Sequence, residues 1–337
     1  MAITAKELAK KLGISEAAVS MALNNKPGVS IATRNKVIEA AERFGYDFSR
    51  ISESTLVSSI KGNITFAIYK KHGAVVSDTP FFNHLTEGIE HTCKNLRYQL
   101  HVSYLYDDGE IQHQIESLPV YDGIILLATE MRKEDFAPFE KIKVPIVVLD
   151  TYYPSSPFNC VIINNFQGAF NATEHLIQRI KEQPGYLHSS YQIGNFDERA
   201  DGFYKAVRAA GMSVSRSPVI NLTPSLDGSY HDMLEALENG TVPSSGYFAD
   251  NDNIAAGAMK ALIEKGYKVP QDISIVGFDN MPFCTYVEPS LSTVDVPKAY
   301  LGKVAVERLI QIITDKDIHP LKIEVSTRLI KRKSVKK

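Results

Sequence analysis

The side chains best suited to chemistry in this sequence stand just past short apolar runs. Asp150 closes PIVVLD, Asn164 closes CVIIN, Asn251 and Asp252 follow GYFAD, and Asp279 closes ISIVGFD, while Arg199 opens a segment of helical period. Tyr69, Tyr104 and Ser189 occupy similar places after other runs. Carboxylates, amides and a guanidinium can make paired hydrogen bonds to neighbouring hydroxyls or to the edge of a heterocycle. No catalytic set accompanies them: the sequence has no G-x-S-x-G elbow, Walker loop, G-x-G-x-x-G or H-E-x-x-H. The composition therefore points to a binding cleft. Each residue also has a plainer use. Asp150 and Asp279 can cap the turns after their strands, Arg199 can pair with Glu198 or Asp201, and Asn251 can N-cap the next helix. Asp250 and Asp252 in ADND imitate a D-x-D metal motif, which keeps a carbohydrate-active enzyme as an alternative, although the start of a helix explains them better.

Nine β-rich runs must position these residues, at 64–69, 98–104, 122–128, 145–150, 160–164, 185–189, 218–222, 246–250 and 273–279. Segments of 3.6 periodicity lie between them, such as Leu301, Val304, Ala305, Leu309, Ile312 and Ile313. Strands alternating with helices predict parallel sheets covered on both faces, and nine strands in two sets predict two subdomains. Ligands of open α/β sheets bind beyond the carboxyl ends of the strands, where the polar residues above fall.

The first 48 residues have a different character. Thr4 is placed to N-cap a helix with an apolar stripe of Leu8, Ala9 and Leu12, and Gly13 supplies the turn after it. Ser15 caps a second helix whose Val19, Ala22 and Leu23 face inward, leaving Glu16, Ala17, Ser20, Met21 and Asn24 outside. Ser30 caps a third, with Val37, Ile38, Ala41 and Phe44 on one side and Gly45 ending it. Helix, four-residue turn with Gly, helix and bracing helix make a helix-turn-helix, whose second helix enters the major groove. A small solvated helical cap is the alternative.

Charge supports the former. The total is −2, yet residues 1–62 hold nine Lys/Arg against six Asp/Glu, net +3, leaving the remaining 275 with 28 against 33, net −5. Clustered positive charge is what counterion release from DNA requires.

The run TAKELAKKLGISEAAVSMALNNKPGVSIATRNKVIEAAERFGY resembles the N-terminal headpiece of the LacI/GalR (lactose-repressor-like) family of bacterial transcription regulators. The resemblance continues through TPFFNHLTEGIE, VIINNFQGAFNATEHLI, DERADGFYKAV, FADNDNIAAGAMKAL, SIVGFDNMPFCTYVEPSLSTV and the closing TRLIKRKS. It implies an all-α head at 1–48, a hinge at 49–61 and an α/β, periplasmic-binding-protein-like body at 62–337. The body would comprise two parallel-sheet (Rossmann-like) subdomains, one at about 62–160 and 293–318, the other at about 161–292 and 319–332. In the head, Thr4, Ser15, Ser20, Asn24, Thr33 and Arg34 suit phosphate contacts, while Glu16, Ala17 and Met21 would read bases. Leu56 is the hinge candidate for a minor-groove wedge, with packing against the body as the alternative. It stands one residue later than in the family's usual hinge text, among Ser49, Ser52 and Glu53. Phe81, Phe82, Asp150, Asn164, Arg199, Asn251 and Asp279 would bind the effector. Asn164 stands where many relatives have Asp, and the stretch 179–199 is shortened and lacks the family's Gly-His.

The expected protein is thus a homodimeric repressor binding pseudo-palindromic operator DNA under the control of a small effector, most readily a sugar. It needs no cofactor or metal, is not an enzyme, and works in the cytoplasm with no membrane partner. A regulator of the same architecture that answers to a phosphorylated carrier protein is the alternative. No apolar run approaches the ~20 residues of a membrane span, and the N-terminus lacks the apolar core of a signal peptide. Cys93, Cys160 and Cys284 have neither disulfide nor zinc spacing and are expected to be small buried apolar residues.

Overall fold

The structure is a computed structural model. It describes residues 3–24, 26, 28–47, 60–71, 73, 75–76, 80–119, 121–315 and 319–337. Most of the expected hinge, Leu56 included, lies outside the described residues.

Three helices form the head: α1 (Ala5–Leu12), α2 (Glu16–Leu23) and α3 (Ile31–Arg43). A capping box starts α1, with Thr4 Oγ1 accepting the Glu7 N–H at 3.3 Å and Glu7 Oε2 accepting the Thr4 N–H at 2.8 Å. Gly13 ends it in the left-handed region at φ 66°. The link to α2 is three residues rather than four, because Ser15 already serves as the N-cap, its Oγ accepting the Ala18 N–H at 3.1 Å. Gly45, at φ 71°, terminates α3 and lets the Tyr46 N–H reach the Ala41 carbonyl at 2.8 Å. Leu8, Ala9, Val19, Ala22, Leu23, Val37, Ala40 and Ala41 make the core. Phe44 does not join it. The chain has already left the helix there, so Ala40 fills that side and Phe44 is 38% exposed, with the Lys11 ammonium 4.2 Å from its ring centre. Thr4→Ala is expected to cost the head about 1 kcal/mol, read as roughly fivefold faster amide exchange in α3 of the full chain.

The body contains two six-stranded sheets. The elements of the first part are β1 (Gly62–Lys70), α4 (Pro80–Leu96), β2 (Tyr98–Tyr106), α5 (Ile111–Glu116), β3 (Gly123–Leu127), β4 (Ile146–Leu149) and β5 (Asn159–Ile163). Then follow α6 (Asn165–Ile180), β6 (Gly185–Ser189), α7 (Gly194–Ala209), β7 (Val219–Leu222), α8 (Leu226–Glu238), β8 (Gly246–Ala249), α9 (Asp252–Glu264), β9 (Ser274–Asp279) and β10 (Ser292–Asp295). The chain closes with α10 (Lys298–Asp315), β11 (Lys322–Val325) and β12 (Arg328–Ile330). The sheet orders are β11-β5-β4-β3-β1-β2 and β12-β10-β9-β8-β6-β7. All nine expected strands are present. Every residue of β3, β4 and β5 is buried, as continuous apolar runs covered by helices on both faces require.

The chain changes sheets three times, and each change falls later than expected. Val161 pairs with Ile323, so 161–163 and β11 belong to the first sheet; Ser292 pairs with Val276, so β10 belongs to the second. Which sheet a four-residue strand joins depends on which edge offers unpaired backbone groups, and hydrophobicity alone does not record that. Among the described residues no helix is long and apolar enough to cross a membrane.

Candidate functional site: a cleft between two sheets and a polar helix face

A cavity of about 550 Å³, its open mouth included, lies at the carboxyl ends of strands from both sheets. Asp150 follows β4 and Asp279 ends β9; both have positive φ, 67° and 106°, which turns their side chains out of the strand line. From the first lobe Phe81 and Phe82, in an edge-to-face pair with centroids 5.0 Å apart, join Asp150 on the wall. The second lobe adds Arg199, Asn251 and Asp279.

Arg199 owes its position to local sequence. Gly202, one turn on along α7, has no side chain where a Cβ would lie 2.4 Å from the Phe166 carbonyl oxygen, so α7 can lie close against α6. Arg199 Nε then reaches Asn165 Oδ1 at 2.9 Å, Nη1 donates to the Asp250 carbonyl, and Nη2 lies 3.3 Å from Asp279 Oδ1. Its guanidinium carbon is 3.8 Å from the Phe278 ring centre. The pairing expected as an alternative, with Glu198, is not made: Glu198 accepts from Asn165 Nδ2 at 2.9 Å.

Asp150 is 1% exposed, and Thr129 Oγ1 donates to its Oδ2 at 2.6 Å. Its Oδ1 makes no hydrogen bond of full geometry, although the Asn195 side chain lies close enough to pull on the carboxyl. Burial pushes its carboxyl up to about 6 from an ordinary 3.8, against the pull of the Thr129 hydroxyl and the Arg199 charge. Asn251 is both cap and wall. Its Oδ1 accepts the Ile254 N–H at 2.8 Å at the start of α9, and the residue lines the cavity.

Asn164 departs from expectation. Its side chain caps α6, accepting the Gln167 N–H at 3.0 Å, and it lines a separate groove with Glu198, Asp201, Lys322 and Glu324. The carboxyl end of β5 is where the chain crosses between sheets, so it does not face the cavity. Among the strand-end residues, Tyr69 is buried in the first lobe's core and Tyr104 is exposed on β2. Eight further wall residues went unnoticed in the sequence, Val75, Ile193, Pro224 and Met281 among the apolar or non-bonding ones and Thr129, Asn195, Phe196 and Asn253 among those able to contact a polar ligand or its ring. Thr129 lies just past the end of β3, and Asn195 sits one helical turn before Arg199; both spacings are legible in the sequence.

The ADND carboxylates are already engaged. Asp250 accepts from the Tyr186 hydroxyl, from His188 Nδ1 at 2.7 Å and from the Ser189 N–H at 2.7 Å. Asp252 accepts from Thr293 Oγ1 at 2.6 Å and the Met281 N–H at 2.8 Å. Among the described residues no His, Cys, Asp and Glu cluster is arranged for a metal. The three cysteines are free and buried.

In the head, Glu16, Ala17, Ser20 and Asn24 are exposed and Met21 is half-buried. Several of the polar side chains expected at phosphates also brace the backbone. Thr4 Oγ1 donates to Glu7 Oε2 at 2.8 Å, Asn24 Nδ2 to the Ser20 carbonyl at 2.9 Å, and Arg34 Nη2 to the Lys26 carbonyl at 2.8 Å. Thr33 shares a 2.8 Å hydrogen bond with Ser30. Ser15 Oγ accepts a backbone N–H and keeps its own proton for an outside acceptor.

A trihelical reader followed by two parallel-sheet lobes around a polar cleft is the architecture of a regulator whose body is of the periplasmic-binding-protein type. Known proteins agree with both parts. Residues 4–48 match the family of bacterial regulatory proteins, lacI family, and residues 173–335 match the periplasmic binding protein-like domain. The chain is 31% identical over 337 residues to the HTH-type transcriptional repressor PurR of Escherichia coli O139:H28, covering 98% of this chain and 96% of that one. The lac repressor dimer bound to operator and the anti-inducer ONPF superposes with a TM-score of 0.71 at 23% identity, covering 99% of both chains. A LacI family transcriptional regulator from Enterococcus faecalis V583 with bound ribose gives 0.67 at 26% identity, over 81% of this chain and 98% of that one. The chain belongs to the LacI family of bacterial transcription regulators.

Proposed function

We propose that the chain is a dimeric repressor whose affinity for a pseudo-palindromic operator is set by a small polyhydroxylated effector, a sugar, held in the cleft. The observation that carries the effector half is Asp150 Oδ1, a buried acceptor on the cleft wall that makes no hydrogen bond of full geometry. A carboxylate oxygen left so in a protein interior is costly, and a ligand hydroxyl would satisfy it. Opposite it, the Arg199–Asp279 pair can bracket two adjacent hydroxyls, and Phe81, Phe82 and Phe196 give a sugar ring apolar faces to lie against. The regulator with bound ribose supports a sugar over other small molecules. Closing the two lobes on the effector would alter how two hinges meet DNA.

In the head, Glu16, Ala17 and Met21 would read base edges while Thr4, Ser15, Ser20, Asn24, Thr33 and Arg34 fix register on phosphates. Residues 1–62, head and hinge together, carry only net +3 and so bind nonspecific DNA weakly, which leaves specificity to two heads spaced by a dimer. The test is to select an operator from random duplexes, then measure its affinity at fixed salt with a panel of free sugars and nucleobases. One sugar is expected to shift operator affinity tenfold or more. If no sugar does so, the effector assignment fails; if a chain lacking residues 1–61 still binds operator, the head assignment fails.

A further inference from the structure

Beside the first lobe's wall of the cleft, one buried carboxylate gathers four backbone amides. Glu130 is 2% exposed. Its Oε2 accepts the N–H groups of Lys71 at 2.7 Å and Gly73 at 3.1 Å, and its Oε1 those of Val75 at 3.0 Å and Val76 at 2.8 Å. These amides belong to the segment that leaves the carboxyl end of β1, and Val75 is itself part of the cleft wall. The same segment is pinned at its start by the Lys71 ammonium, 2.8 Å from Asp135 and 3.3 Å from Asp107. Thr129, the residue before Glu130, gives its hydroxyl to Asp150. Two consecutive residues past β3 therefore fix two separate parts of the cleft: the orientation of a recognition carboxylate and the course of an apolar wall.

Backbone N–H groups converging on one point form an anion nest, here filled by the protein's own side chain. We propose that Glu130 is a positioning residue for effector specificity. By holding the amides of Lys71, Gly73, Val75 and Val76 it places Val75 against the effector and so decides which effectors fit, without touching the effector itself. This inference rests on the cleft being the effector site. A carboxylate is the group that meets the demand, since each of its two oxygens accepts two N–H bonds. A glutamine of the same shape would present an NH₂ to two N–H donors, and the segment would lose half of its anchorage. Ordering that segment would then be deducted from effector affinity at each binding event.

The test uses E130Q and E130D in the full chain with D-ribose and cellobiose as probes. In E130Q the amides of Lys71, Gly73, Val75 and Val76 are expected to exchange at least roughly tenfold faster, and the ribose needed for a half-maximal change in operator affinity to rise about tenfold or more. The ratio of the ribose response to the cellobiose response is expected to change as well, and E130D, which keeps both acceptor oxygens, to recover part of each effect. Exchange as slow as in the wild type would overturn the inference. So would fast exchange with unchanged sugar responses, or a fall in thermal midpoint that weakens both sugars equally and leaves their ratio alone, since that is a structural role. If the wild-type chain answers to neither probe, the sugar of the panel that shifts operator affinity replaces them; a chain that answers to none sinks the assignment of the cleft and this inference with it.

Discussion

Arg199→Met is expected to lower the unfolding free energy of the body by about 3–5 kcal/mol and to abolish the effector response of operator binding. The side chain is 3% exposed, so its removal strands its partners in a place water does not reach. The Asp250 carbonyl, Asn165 Oδ1 and Asp279 Oδ1 each lose a donor, and Asp279 loses its guanidinium counter-charge while keeping Lys298, whose ammonium donates to the Asp279 carbonyl. Breaking a buried pair by removing one member costs more than the pair contributes, because the other charge remains. Arg199→Lys is expected to recover little. A lysine cannot place three donors at fork geometry on three separate acceptors, nor lie flat on Phe278 as the guanidinium does. Chemical denaturation of the body reports the stability, and operator titration with and without sugar, well below the melting range, reports the response. Adding Asp279→Asn in a double-mutant cycle isolates the ion pair, and a loss smaller than the sum of the two single losses is expected. Wild-type stability together with an intact sugar response would show that Arg199 neither braces the cleft nor serves it.

The fate of Arg199 also shows what was legible in the sequence. Its place at the start of a helix follows from the periodicity and its place in the cleft from the family resemblance, whereas the close approach at Gly202 that lets two helices cover it is visible only in the structure. Strand runs were equally legible where both faces are covered, because β3 and β4 are then apolar at every position and β5 at all but its first, Asn159. The strands that escaped notice are those whose surroundings differ on their two faces or that lie at a sheet edge. In β11, Lys322 and Glu324 are exposed while Val325 is buried, a half-polar text that reads as loop; β10, STVD, is buried through Ser and Thr rather than through Ile or Leu. At the cleft, Asp150, Arg199, Asn251 and Asp279 followed from the strand-end rule and the family motifs, as did Phe81 and Phe82 from the family alone. Asn164 obeyed the same rule and misled, because the chain crosses between lobes at that point and the side chain is spent on capping α6. Glu130 carries no such signal. The partners described for it include four backbone amides, which every sequence has, and only their convergence on one carboxylate marks it.

Asp150→Asn is expected to stabilise the effector-free chain at neutral pH while weakening effector binding, and the pH dependence of both effects separates them. In the folded chain burial raises the Asp150 carboxyl from an ordinary 3.8 to about 6. Between those values the folded chain holds a proton that the unfolded chain has released. Stability therefore falls as pH rises through the window from about 4 to about 6, and by pH 7 the ionised group opposes folding by about 3 kcal/mol. Asparagine carries no charge to bury, its carbonyl can still accept from Thr129, and it tolerates the left-handed backbone at φ 67°. The variant's stability should lack this slope. Asp252, raised to about 7 by burial and by the nearby Asp279 charge, contributes a slope of the same sign in both proteins, so the difference between them isolates Asp150. Sugar binding runs the other way. An ionised Asp150 accepting ligand hydroxyls is stabilised by them, so the wild type's affinity for the sugar should rise as much as tenfold per unit of pH below about 6 and level off above it. In Asp150→Asn that affinity should be lower at pH 7 and nearly flat. A variant no more stable than wild type at pH 7 would mean that Asp150 carries no costly buried charge, and one whose sugar affinity keeps the wild-type pH profile would mean that its buried oxygen is not where the effector's hydroxyl is recognised.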